Sequence, residues 1–123
     1  MATTDQFLGV FEMLKHTLHP FAQRLVVDAD QSTIYGLITP HVPPTKAVSF
    51  GAVQNKKAYV SYYFMPVYYF PDLLHDVSPT LKRRMQDKSC FNFTSMDQLE
   101  PTLPELTQLT ERGFARFVHE YMW

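Results

Sequence analysis

Cysteine, glycine and charge are all scarce in this sequence. The one cysteine, Cys90, excludes an intramolecular disulfide and with it the small stapled scaffolds of secreted proteins. Charged residues make up 19% of the chain and the formal net charge is −1, so there is no global field to hold nucleic acid or an anionic membrane. The four glycines form neither a P-loop nor a G-x-G-x-x-G fingerprint, and G-x-S-x-G and H-E-x-x-H are also absent, which leaves the motif-bearing enzyme classes without support. No apolar run approaches the length of about 18 residues that a spanning helix needs, and "MATTDQFLGVFEML" has neither a basic n-region nor a long apolar h-region. The expectation is a soluble, cytoplasmic protein without cofactor, nucleic-acid partner or membrane partner.

The 123 residues suit one domain spanning the whole chain. Phe7, Phe11, Leu14 and Leu18 recur at helical spacing, with Thr3 or Thr4 as cap and Pro20 as stop. "RLVVDADQSTIYGLIT" reads as a hairpin, Pro40 to Pro44 as an extended connector, and "KAVSFGAV" with "AYVSYYFM" as a second hairpin turning at "QNKK" and ending at Pro66. Pro71 opens a turn carrying Leu73 and Leu74, and Ser78-Pro79 opens a short helix with Leu81 and Met85 inward. "KSCFNFT" alternates with Phe91 and Phe93 on one face. From Pro104 a last helix aligns Leu106, Leu109, Gly113, Phe117 and Tyr121. These elements make an α+β fold: an antiparallel sheet of about five strands, terminal helices packed on one face, and a short helical insertion.

What the sequence has in abundance is rings. Between Tyr62 and Tyr69 stand four tyrosines and a phenylalanine. On the preceding strand Tyr59, Ser61 and Tyr63 share one face, and Val60, Tyr62 and Phe64 the other. Tyrosine suits a wall that must be apolar and still offer hydrogen bonds. Set against this, the same rings could all be core with their hydroxyls bonded at the rim, and the two readings weigh about evenly.

The basic residues Lys82, Arg83 and Arg84 fall in the last turn of the short helix, where cations complement the dipole, and Lys88 follows on the face of Cys90. The expected ligand-binding residues are therefore Tyr59, Ser61, Tyr63, Tyr68, Tyr69, Arg83, Arg84 and Lys88. A small apolar or anionic molecule, or a second copy of the chain, is the expected partner. The histidines are dispersed, Asp28 with Asp30 reads as a turn pair, and Cys90 reads as a structural thiol, so neither a catalytic group nor a metal site is assigned.

At "KKAYVSYYFMPVYYFPDLL", "SPTLKRRMQDKSCFNF" and "LTERGFARF" the chain resembles the YdhG-like family of small bacterial proteins, over about Ala47 to Phe117. Some members are described as frataxin-like intracellular iron chaperones. The resemblance implies an α+β fold and a non-enzymatic role, with iron handling as the alternative to small-molecule binding and an enzyme without a recognisable motif as the third reading. Frataxin-type iron binding uses a carboxylate-rich first helix, and here that helix offers only Asp5 and Glu12.

Overall fold

The computed structural model describes residues 2–40 and 47–122. Strands β1 (Val26–Gln31), β2 (Ile34–Ile38), β3 (Ser49–Asn55), β4 (Val60–Phe64) and β5 (Cys90–Phe93) form an antiparallel sheet whose spatial order follows chain order. Directly paired residues share a face, so Tyr35, Val53, Tyr62 and Phe91 make one apolar row across β2 to β5. All four are buried. Helices α1 (Ala2–Leu18) and α5 (Leu103–Phe117) cover this face and touch each other. α1 lays Val10, Phe11, Leu14 and Leu18 into the core, and α5 adds Leu106, Leu109 and Phe117.

Two local features set the depth of packing. The β2–β3 register shifts between Leu37 and Ile38, which leaves Phe50 as an extra residue on β3. Its ring turns under the helices and meets Phe64, Phe114 and Phe117 edge-on at centroid distances of 5.4, 5.8 and 5.4 Å. On α5, Gly113 lets the helix descend onto β4: a Cβ there would lie 2.4 Å from the Phe64 ring and 2.8 Å from the Pro66 Cβ.

The insertion consists of single turns, each started by a proline: α2 (Pro66–Tyr69), a 3₁₀ turn (Pro71–Leu74) and α3 (Pro79–Lys82). Ser78 caps α3 by accepting the Leu81 N–H at 3.2 Å. Its own N–H and hydroxyl donate to the Glu105 carboxylate at 2.7 and 2.6 Å, which ties the insertion to α5.

The expectations for the cap of the first helix, for Lys88, for the proline connector and for Tyr121 need correction or restriction, and one helix is added to them. α1 already begins at Ala2, so Thr3 and Thr4 lie inside its first turn rather than at the position before it. Lys88 is not on the strand with Cys90; β5 starts at Cys90, and Lys88 sits in the bend before it. A further helix, α4 (Met96–Leu99), follows β5, with Ser95 accepting the Gln98 N–H at 3.3 Å. Most of the Pro40–Pro44 connector and the side chain of Tyr121 lie outside the described residues.

Candidate functional site

Polar and small residues occupy the sheet face away from the helices. Gly36, Ala52, Tyr63 and Cys90 form one row across it, and Gln54, Ser61 and Asn92 the next. Ser61 is only 2% exposed, whereas Tyr63 and Asn92 are half-buried. The Lys56 ammonium lies 5.9 Å from the Tyr63 ring centroid, within cation–π range. The Cys90 thiol is pushed up from its ordinary range, first by burial and then by the adjacent Asp87 carboxylate, with the Ser89 and Ser61 hydroxyls working against the rise. A thiol so placed stays protonated and is a poor nucleophile. Burial likewise raises the Tyr63 phenol, and Cys90 adds to the rise.

The tyrosines of the ring-rich stretch part company. Tyr62 is core, its hydroxyl bonded to Thr110 at 2.7 Å. Tyr68 and Tyr69 are 49% and 41% exposed. The remaining expected site residues fall into two separate cavities.

The first cavity, of about 590 Å³, is lined by Val67, Tyr68, Tyr69, Pro71, Leu74 and Lys88. It exists because the chain cannot continue α2 into Pro71: the residue before a proline is kept out of the helical region, and Phe70 sits at φ −130°, ψ 76°. The two proline-started turns therefore meet at an angle and leave a cleft between them. The Tyr68 and Tyr69 rings stand edge to face at 5.5 Å. Lys88 supplies the only charge among the lining residues.

The second cavity, of about 440 Å³, lies at the sheet edge and is lined by Tyr59, Arg83, Arg84, Gln86, Asn92 and Thr94. Here the chain after α3 runs alongside β5. The Asn92 N–H donates to the Arg84 carbonyl at 2.7 Å and the Gln86 N–H to the Cys90 carbonyl at 3.0 Å, flanking the bridge between Met85 and Phe91. Alternation then puts Met85 against the core and Arg84 and Gln86 on the face that carries Asn92.

A third concavity, between α1 and α5, has Met13, Leu103, Thr107 and Glu111 on its walls and was not foreseen from the sequence. It arises only when the two helices come together, so no local pattern marks it. Among the described residues no group of three or more His, Cys, Asp or Glu side chains is placed to hold a metal ion, and no helix is long and apolar enough to cross a membrane. Glu12 is exposed on α1, and the side chain of Asp5 lies outside the described residues. No family model, no curated protein and no solved structure matches the chain.

Proposed function

We propose that the protein is a non-catalytic, cytoplasmic binding module that takes a small molecule with an apolar body and a carboxylate end in the cleft of Tyr68, Tyr69 and Lys88. The observation that carries this reading is the pairing of two exposed tyrosine rings, over the more buried Val67 and Leu74, with a single cation. A volume of about 590 Å³ falls within the few hundred to about a thousand Å³ of small-molecule sites. Val67 and Leu74 give the body an apolar floor, the Tyr68 phenol gives it an orienting hydroxyl, and Lys88 gives the anionic end a partner.

Calorimetric titration with phenylacetate, with its uncharged amide, and with a medium-chain fatty carboxylate tests the reading. Saturable binding of the carboxylates, weaker binding of the amide, and loss on Lys88→Gln are expected. Equal binding of acid and amide, or no effect of Lys88→Gln, would remove the proposed role of the cation. Sedimentation of the same samples checks the alternative occupant, a second copy of the chain: a dimer that dissociates on Tyr68→Ser and ignores carboxylates would replace the small-molecule reading.

A further inference from the structure

The edge cavity is chemically unlike the Tyr68–Tyr69 cleft. It is lined by two guanidiniums, a phenol, two carboxamides and a hydroxyl, with no carboxylate among them. Two arginines elsewhere are engaged: Arg116 bonds Asp72 at 2.8 Å and lies 4.3 Å from the centroid of the Phe70 ring, and Arg24 lies 5.8 Å from that of Phe114, whereas Arg112 stands exposed on α5 and lines no cavity with a second cation. Among the described residues the side chains of Arg83 and Arg84 have no hydrogen-bond or ion-pair partner. The nearest acid along the chain, Asp87, does not compete for them. Its carboxylate accepts the N–H groups of Ser89 and Cys90 at 3.0 and 3.2 Å, so it is turned into its own loop.

The backbone under both arginines is fixed before any ligand arrives. The Arg83 and Arg84 N–H groups donate to Pro79 and Leu81 at 3.0 and 2.9 Å, and the Arg84 carbonyl accepts from Asn92. Beside them the Asn92 side-chain oxygen is buried without a hydrogen-bond partner. Leaving such an acceptor unmet is unfavourable, and a turn of the amide about its broad last torsion would offer it to a donor in the cavity.

We propose that this cavity is a binding site for small phosphate monoesters, with Arg83 and Arg84 on the phosphate and Tyr59 beneath a flat ring of the esterified alcohol. Two adjacent guanidinium forks present more donors than one carboxylate can accept, whereas the three terminal oxygens of a phosphate monoester fill both. Asn92, Gln86 and Thr94 then meet the hydroxyls or ring edges of the alcohol. A half-buried phenol at the wall is a platform for a planar group, which favours a mononucleotide over a sugar phosphate.

The test is titration of the full chain with a 5′-mononucleotide, its nucleoside, ribose 5-phosphate and inorganic phosphate, followed by calorimetry. The mononucleotide is expected to bind saturably and at least tenfold more tightly than the nucleoside. Arg84→Gln should weaken it tenfold or more, with Arg84→Lys intermediate because a point charge replaces a fork. Tyr59→Leu should weaken the mononucleotide and leave ribose 5-phosphate unchanged. Lys88→Gln, in the other cleft, should change none of these values, so failure here and failure of the carboxylate reading are told apart. Thermal melting of each variant confirms folding, and the Arg83→Gln protein repeats the test if Arg84→Gln melts early. Equal affinity for nucleotide and nucleoside, indifference to both arginine changes, or absence of saturable binding to any phosphate would overturn the proposal. Equal affinity for the two esters would overturn the role given to Tyr59.

Discussion

The Tyr62 hydroxyl donates to the Thr110 hydroxyl oxygen at 2.7 Å, because the Thr110 hydrogen is already committed to the Leu106 carbonyl at 2.8 Å. This chain of two bonds joins the middle of β4 to the middle of α5 inside the apolar core, where both side chains are fully buried. It is the means by which a tyrosine, with its obligatory polar end, is accommodated between phenylalanines.

Replacing Tyr62 by Phe should cost about 1 kcal/mol in chemical denaturation, because Thr110 keeps its bond to Leu106 and loses only an incoming donor. An unchanged midpoint would show that the hydroxyl pair contributes nothing.

The same phenol makes stability fall in alkali. Burial raises its pKa well above the ordinary tyrosine range, opposed in part by the Thr110 bond. Its contribution is therefore fully present below about pH 10 and is lost above it, as the unfolded chain ionises first, at up to about 1.4 kcal/mol per pH unit. Tyr35, Tyr63 and Cys90, also pushed up by burial, act in the same direction in wild type and variant alike. Denaturation curves from pH 9 to 11 should show the deficit of Tyr62→Phe shrinking with pH. A constant deficit would contradict the assignment.

Two glycines should respond in opposite directions to alanine. At Gly113 the new methyl meets the buried Phe64 ring and Pro66, so a loss of about 1–3 kcal/mol is expected from overpacking. At Gly9 on α1 the nearest atom is the Met96 sulfur at 3.8 Å, an ordinary contact, so the substitution should gain up to about 1 kcal/mol from helix propensity. Thermal melting of the two variants gives both signs at once.

How far the sequence discloses all this depends on whether a feature is local. Phe91 and Phe93 alternate within four residues, and Ser78 with Pro79 marks a helix start by its own chemistry, so both are readable. α4 is a single turn; Ser95 caps it by accepting the Gln98 N–H and the Gln98 side chain accepts the Thr94 N–H, but no apolar periodicity follows to draw attention to it. Which of Tyr62 and Tyr63 is core cannot be read from β4 alone, because both faces of the strand carry rings and the choice is made by where α5 lands. The division of the expected site residues between two cavities has the same origin. Lys88 stands in a bend whose direction is set by Asp87 bonding the backbone after it, and this carries it away from Cys90.

Cys90 should be nearly inert in the native protein. It is 4% exposed and its thiol is pushed up by burial. A thiol reagent at neutral pH should label it only at the rate of unfolding, and fast labelling of folded protein would contradict the burial of this row of the sheet.

Ligand recognition by the Tyr68–Tyr69 cleft is best read at the rings themselves, by nuclear magnetic resonance with phenylacetate as titrant. The expected result is a saturable shift of the Tyr68 and Tyr69 ring protons and of the Val67 and Leu74 methyls, with Tyr62 and Tyr35 unmoved and the whole effect lost in Lys88→Gln. Shifts confined to other parts of the surface, or no saturable shift at these four residues, would contradict the account.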